Sequence, residues 1–229
     1  MNDWINKFAL HRIGIAERLA DGACDAGYPE AVILLLAVLS GIASLVWPGE
    51  RIDRKRFVEL LVTYCKPTLQ TQFISTAMLV QEFARDTDPI KRQAADSIRQ
   101  KYLPPHHALI ITGDDADGME DDLLIECPQL SKEQLRQFSY AHLLYREARC
   151  GLVHNYSLGK FATSRPMTDR KANVSYVNVT ESSPSTEHYK QICFHFDWMK
   201  GLVRSAAEAV NQIASSLPLP GPQRWWIEG

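Results

Sequence analysis

The stretch from Leu144 to Lys160 contains two residue types that can act together on a phosphate group. Arg149 and His154 lie five positions apart in the sequence RCGLVHNY, near the end of a predicted helix. A guanidinium can bind a phosphate through two hydrogen bonds, and an imidazole can take up or release a proton near neutral pH. The pair could therefore hold a phosphate and move a proton if the fold brings the two side chains together.

Helix geometry restricts how Arg149 and His154 can meet. An α-helix turns about 100° per residue, so side chains five residues apart point about 140° apart. They meet only if the long Arg149 leans across, if the helix ends near Val153, or if the second group comes from another subunit. Arg149 could instead cap the helix or pair with Glu147 or Glu133. A histidine at a helix C-terminus is also favourable for the helix dipole alone.

The helix that carries this pair has clear sequence signals at both ends. Ser131 and Gln134 form a capping box, which predicts a helix start. Apolar residues then recur at helical spacing as far as Leu152, and Gly159 marks the stop. Earlier in the chain, Ala31 to Trp47 is uncharged and long enough for a short membrane span. We expect it to be a buried central helix, with no membrane association.

Two short regions favour strands within an otherwise helical chain. HALIIT and DLLIEC flank GDDADGMED, which predicts a hairpin near 107–127. Its acidic loop, 113–122, does not have the spacing of a calcium loop and is interpreted as a solvated turn. Alternation in NVSYVNVT and KQICFHF predicts a second hairpin near 173–196. We expect one mainly α domain, 1–216, followed by a Pro/Gly-rich tail, 217–229, whose two tryptophans fold onto the surface.

The composition limits the classes of partner. With 229 residues and a net charge of −2, the chain has no overall field that attracts nucleic acid. RNA binding would need a local basic patch, and the loop after the motif supplies candidates: Lys160, Arg165, Arg170 and Lys171. Five scattered cysteines without a CxxC pair favour neither a disulfide framework nor a zinc site. We therefore predict a cytoplasmic protein with no metal and no cofactor.

The sequence RCGLVHNY resembles the Arg-x4-His-x-Tyr signature of HEPN domains (higher eukaryote and prokaryote nucleotide-binding). The surrounding sequence is similar as well. An amphipathic first helix meets an apolar second helix across a short acidic turn, CDAGYPEAVILLLAVLSGIASL, and a DRKRFVELLVTY helix follows. The strand and helix of ICFHFDWMKGLVRSAAEAV come after the motif. The resemblance covers about two thirds of the chain and omits the acidic hairpin region and the tail.

The resemblance implies a HEPN-like helical bundle that dimerises and brings two Arg–His pairs to one groove. It also implies a metal-independent endoribonuclease, in which the ribose 2′-hydroxyl is the internal nucleophile and the substrate is therefore RNA. His154 would be the general acid or base, and Arg149 would stabilise the phosphate charge. Tyr156 fills the tyrosine position, which a partner nucleotidyltransferase can modify in toxin–antitoxin members, and Asn155 is a supporting candidate.

On this resemblance we expect a homodimeric ribonuclease of a toxin–antitoxin or antiviral defence system. The alternative is a non-catalytic HEPN module that binds a nucleotide, RNA or a protein. The chain departs from the family at Cys150, where many members carry Asn or another polar residue. The supporting hydrogen bond that such a residue would make is therefore in question here.

Overall fold

The computed structural model describes residues 3–103, 110–164, 172–180 and 188–228. Most of these residues are helical, and a small antiparallel sheet accompanies the helices, so the predicted mainly α fold with a small β element is confirmed. The α-helices are α1 (Trp4–Ala20), α2 (Tyr28–Val46), α3 (Asp53–Tyr64), α4 (Thr76–Phe83), α5 (Pro89–Tyr102), α6 (Gly113–Ala116), α7 (Glu120–Glu126), α8 (Lys132–Arg136), α9 (Tyr140–Leu143), α10 (Cys150–Asn155) and α11 (Phe196–Gln212). A π-helix covers Leu144–Arg149, and the strands are β1 (Ile110–Thr112), β2 (Val174–Thr180) and β3 (His188–Phe194).

The centre of the protein is a group of long helices. Helices α1, α2 and α11 pack against one another, and α3 packs against α2 and α11. The connection from α1 to α2 is a tight turn, in which Gly22 has a φ of 89°. The amide of Gly27 donates to the Glu30 carboxylate at 2.7 Å, which caps the start of α2.

Helix α2 lies within this group of helices. Of the helices in the described residues, it is the one long and apolar enough to cross a membrane by length and composition, and half of that apolar window is buried inside the protein. Leu35, Leu36 and Leu39 are completely buried. A helix that is apolar on most faces can bury those faces only against several neighbours, and α2 packs against α1, α3, α10 and α11.

The sheet has the order β1-β2-β3, and both pairs are antiparallel. Strands β2 and β3 pair from Val174 with Phe194 to Thr180 with His188, which confirms the predicted hairpin near 173–196. Strand β1 pairs with the other edge of β2, with Ile111 opposite Tyr176. A segment more than 60 residues earlier in the sequence thus completes the sheet.

The predicted hairpin near 107–127 is wrong. Strand β1 forms at Ile110, but DLLIE, 122–126, belongs to helix α7, and Cys127 caps the end of that helix. Three acidic residues lie in the first turn of α7, where the partial positive charge of the helix N-terminus stabilises them. Within α7 only Leu123 is buried, and Ile125 is 80% exposed, whereas a buried strand would bury alternate residues.

The acidic loop is also not the solvated turn that we predicted. The Asp117 carboxyl is buried and accepts hydrogen bonds from the Tyr140 hydroxyl at 2.6 Å, from the Thr76 amide at 2.9 Å and from the Tyr176 hydroxyl. A Cβ atom on Gly113 would lie 2.0 Å from the Tyr140 hydroxyl oxygen, so only glycine fits there. Burial raises the pKa of Asp117 to about 7, although these hydrogen bonds act in the opposite direction.

The helix predicted from Ser131 to Gly159 consists of several segments. The capping box of Ser131 and Gln134 is confirmed. The helix then breaks, and Ser139 caps a new start. At the break the amide of Tyr140 donates to the carbonyl oxygen of Phe73 at 2.9 Å, so another segment of the chain takes the place of the helical hydrogen bonds. A π-helix and α10 follow, and α10 ends at Asn155.

The C-terminal tail lies on the surface of the helices, as predicted. Trp225 packs edge-on against Trp47 with 5.7 Å between ring centroids. The amide of Trp226 donates to the Glu59 carboxylate at 2.8 Å, and its carbonyl oxygen accepts from Arg136 at 2.6 Å. The tail therefore joins α3 to α8.

Candidate functional site

The candidate site lies where the π-helix passes into α10. Leu144, Ala148 and Leu152 are buried and attach this segment to the core. Tyr145 packs against Phe57 of α3, with 5.5 Å between ring centroids. The segment is thus attached to the core, and it carries Arg149 and the exposed His154. A π-helix inside a longer helix is uncommon and is often found at functional sites.

The structure brings Arg149 and His154 together. Nη1 of Arg149 lies 3.4 Å from Nε2 of His154. Arg149 immediately precedes α10 and His154 lies within it, so the two residues project from the helix in widely different directions. The long side chain of Arg149 bends around the helix to reach His154. Of the three arrangements that the sequence left open, this is the leaning arginine. The helix does not end near Val153 but continues through His154.

The role of the imidazole in this contact depends on its tautomer. Arginine nitrogens only donate hydrogen bonds, so the contact is a hydrogen bond where Nε2 of His154 is the acceptor. His154 is exposed, so its ring is accessible to a substrate. An accessible imidazole whose Nε2 is unprotonated can take a proton from a hydroxyl group.

The aromatic ring of Tyr145 also contacts Arg149. The guanidinium carbon lies 5.2 Å from the ring centroid of Tyr145, four residues earlier in the chain. Nε of Arg149 is buried, and no partner for it occurs among the residues that the structure describes. A buried donor without an acceptor is costly, so the guanidinium gains a hydrogen bond if it moves out to an acceptor. Tyr145 was not predicted as part of the site, although its spacing of four residues from Arg149 could have indicated the contact.

The alternative pairing of Arg149 with Glu147 does not occur. Glu147 is buried and accepts a hydrogen bond from Nε of Arg146 at 2.7 Å. Nη1 of Arg146 lies 3.3 Å from the carboxylate of Glu82 on α4. The charge of Glu147 is thus compensated by its neighbour in the chain, and that of Arg149 remains at the site.

A tight loop after α10 holds the turn that carries His154. Tyr156 adopts the left-handed conformation with a φ of 54° and ends the helix. The amide of Gly159 then donates to the carbonyl oxygen of Glu147 at 2.7 Å. A Cβ atom on Gly159 would lie 2.3 Å from the Glu147 carboxylate, and one on Gly151 would lie 2.2 Å from the carbonyl oxygen of Ser157. Both glycines are therefore required for the loop to lie against the helix.

The remaining residues of the motif lie on the surface. Asn155 is exposed, Tyr156 is 58% exposed, and Val153 is 41% exposed. Cys150 is half-buried. An exposed aromatic and an exposed aliphatic residue thus lie beside His154.

Of the predicted basic patch, Lys160 is placed, and Arg165, Arg170 and Lys171 lie outside the described residues. The ammonium of Lys160 lies 5.6 Å from the ring centroid of Phe161 and 5.8 Å from that of Tyr189. The two aromatic residues were not predicted, because Tyr189 comes from a distant strand.

One more ionisable residue lies close to this helix. His142 is buried on α9, and burial lowers its pKa to about 4, with further contributions from Arg146 and Arg54. His142 is therefore neutral at physiological pH, and its burial separates it from any substrate.

Within the described ranges, no three His, Cys, Asp or Glu side chains gather in a way that would hold a metal ion. The groups that the structure places at the site are the guanidinium of Arg149, the imidazole of His154 and the ring of Tyr145. Compared with known proteins, the chain matches no family model, and it matches neither a curated protein nor a solved structure.

Proposed function

We propose that the protein is a metal-independent endoribonuclease, with Arg149 and His154 as its catalytic residues. The observation that carries the proposal is the 3.4 Å approach of Arg149 Nη1 to Nε2 of an exposed His154. The resemblance of RCGLVHNY to the HEPN signature supports the same residues independently of that distance. RNA is the substrate because the mechanism uses the ribose 2′-hydroxyl.

The reaction begins at the ribose 2′-hydroxyl. Neutral His154 takes the proton from this hydroxyl through Nε2, and the oxygen attacks the adjacent phosphorus. Arg149 turns from the imidazole to the phosphate and stabilises the negative charge of the transition state, since its buried Nε has no protein acceptor among the described residues. The bond to the 5′-oxygen breaks, and that oxygen takes a proton. The products are a 2′,3′-cyclic phosphate and a 5′-hydroxyl.

The proton for the leaving oxygen has to come from a second group. In a homodimer, His154 of a second copy, in its protonated form, would donate it. Val153 and Tyr156 beside His154 are exposed and apolar enough to form the contact between the copies. Two Arg–His pairs would then share one groove.

The biological setting that we propose is a toxin–antitoxin or antiviral defence system in the cytoplasm. The exposure of Tyr156 supports this, because a partner nucleotidyltransferase could modify it without unfolding the helix. A bulky, charged nucleotide at that position would block the groove beside His154.

The alternative function is a non-catalytic module that binds RNA, a nucleotide or a protein. The half-buried Cys150 favours it, because many family members carry a polar residue at this position. The guanidinium of Arg149 could still bind a phosphate without any cleavage.

One experiment separates the two functions. The wild-type protein is incubated with labelled RNA in EDTA, and we expect fragments that end in a 2′,3′-cyclic phosphate. His154→Ala should abolish cleavage and keep the helical circular dichroism, while His11→Ala, at an exposed histidine of α1, should cleave normally. Equal cleavage by wild type and His154→Ala would refute the ribonuclease proposal, and binding without cleavage would favour the alternative.

A further inference from the structure

A cleft of about 130 Å³ opens beside the helix that carries the catalytic pair. It lies between α4, the π-helix and the loop after α10. Its walls carry apolar groups, carboxylate and amide acceptors and guanidinium donors, and its lining residues are Met78, Gln81, Glu82, Arg85, Arg146 and Phe161.

An aromatic pair and a lysine lie at the edge of this cleft. Phe161 and Tyr189 meet edge to face, with 6.1 Å between ring centroids. The exposed Lys160 holds its ammonium over both rings. Aromatic faces next to a lysine form the combination with which proteins hold single-stranded nucleic acid, because bases stack on the rings and the cation binds a phosphate.

The backbone fixes these side chains. The amide of Ile192 donates to the carbonyl oxygen of Phe161 at 2.8 Å, and the amide of Thr163 donates to the carbonyl oxygen of Ile192 at 2.9 Å. The side chain of Gln191 donates to the carbonyl oxygen of Lys160 at 3.0 Å. The loop thus continues the edge of the sheet, and the rings are held in position before a ligand arrives.

The cleft lies close to the catalytic pair, both along the helix and along the loop that follows it. Arg146 in its wall precedes Arg149 by three residues, and His154 is roughly 12 Å further along the helix axis than Arg146. The loop that begins at Tyr156 returns along the helix to Lys160. A strand of RNA whose phosphate lies at Arg149 can therefore place a neighbouring nucleotide at the cleft.

We propose that this cleft is a base-binding subsite for single-stranded RNA. One base stacks on Phe161 or Tyr189, and Lys160 moves to the phosphate of the same nucleotide. The edge of the base meets Glu82 and Arg146, which lie 3.3 Å apart as an ion pair, so that the base takes the place of each partner with its own donor and acceptor. A paired base would be enclosed in its helix, so the subsite selects unpaired segments. This inference rests on the proposed function in that RNA is the ligand.

Binding to a cleavage-inactive protein tests the subsite separately from catalysis. Fluorescence anisotropy measures the binding of a labelled oligoadenylate and of an abasic ribose-phosphate oligomer of equal length to His154→Ala. We expect the base-containing oligomer to bind about fivefold or more tightly. In the variant with Phe161→Leu and Tyr189→Leu added, both oligomers should bind alike. Trp4→Leu, at an exposed aromatic residue of α1, is the matched control and should keep the preference.

A second variant keeps the test decisive if the double substitution does not fold. Lys160→Gln changes one exposed side chain, and it should reduce the slope of log affinity against log salt by about one. Equal affinity for both oligomers, an unchanged preference in the double variant, or an unchanged slope would each overturn the subsite.

The two proposals can fail separately. Cleavage by wild type together with equal binding of both oligomers would remove the subsite and leave the ribonuclease. A base preference that depends on Phe161 and Tyr189, together with no cleavage, would establish the subsite and remove the ribonuclease.

Discussion

The amide of Gly159 donates a hydrogen bond to the carbonyl oxygen of Glu147, with 2.7 Å between nitrogen and oxygen. This bond ties the loop that follows α10 to the π-helix before it. His154 and Lys160 lie at the two ends of that loop. The positions of the candidate imidazole and of the proposed subsite therefore depend on the same backbone contact.

Substitution of Gly159 should disturb both positions. A Cβ atom at residue 159 would lie 2.3 Å from the Glu147 side chain and 3.1 Å from its backbone, so we expect Gly159→Ala to lower the free energy of unfolding by about 1–3 kcal/mol. Urea denaturation measures this loss, and RNA cleavage should fall with it.

Gly14→Ala is the matched control, because nothing lies within 4 Å of its Cβ position in α1. It should stabilise the protein slightly. Equal stability of the two variants would contradict the tight contact.

The ring of Tyr145 should contribute to catalysis through Arg149. Tyr145→Leu removes the aromatic face under the guanidinium, and we expect the single-turnover cleavage rate to fall about three- to thirtyfold. Tyr145→Phe keeps the ring and should retain the rate. Rapid-mixing experiments at saturating protein measure the difference between the variants, and the urea midpoint of each variant shows whether it is folded. If Leu and Phe support equal rates, Tyr145 does not position Arg149.

The stability of the protein should depend on pH through Asp117. Burial raises the pKa of this carboxyl from 3.8 to about 7 in the folded state. Between these two pH values the folded protein therefore keeps the proton on Asp117, whereas the unfolded chain has lost it. The stabilisation is therefore complete below about 3.8 and is lost as the pH rises through 7, with a slope of at most about 1.4 kcal/mol per pH unit. Urea denaturation between pH 5.5 and 8.5 measures the curve.

Asp117→Asn supplies the reference curve for this measurement. His142 contributes with the opposite sign, since burial lowers its pKa to about 4 and stability is lost as the pH falls towards that value. The difference between wild type and Asp117→Asn removes the His142 contribution. A difference that does not change between pH 6 and 8 would show that Asp117 is not protonated near neutral pH.

Local signals in the sequence predicted parts of the fold well. The capping box of Ser131 and Gln134 uses atoms within one turn, so it can be recognised without knowledge of the tertiary structure. The hairpin of β2 and β3 likewise joins two neighbouring alternating segments. The break before Tyr140 could not be predicted, because the hydrogen bond that replaces the helix comes from Phe73. Helix α7 was mistaken for a strand because three consecutive apolar residues show no helical period.

The candidate site was likewise predicted only in part. Arg149 and His154 were identified from their types and spacing. Their approach to 3.4 Å depends on the rotamer of the arginine, which the ring of Tyr145 supports. The cleft and its aromatic pair could not be predicted, since Phe161 and Tyr189 belong to segments 28 residues apart and meet only through the sheet edge.

The buried network around Asp117 has a consequence for how the chain folds. The Tyr176 hydroxyl lies 2.8 Å from Oγ of Ser75, across 101 residues of sequence, and it also reaches the carboxyl of Asp117. Closing so long a loop costs entropy that is recovered only when the hydrogen bonds and the surrounding core form together. The sheet and the helices around Ser75 and Tyr140 are therefore expected to consolidate in one cooperative step, late in folding.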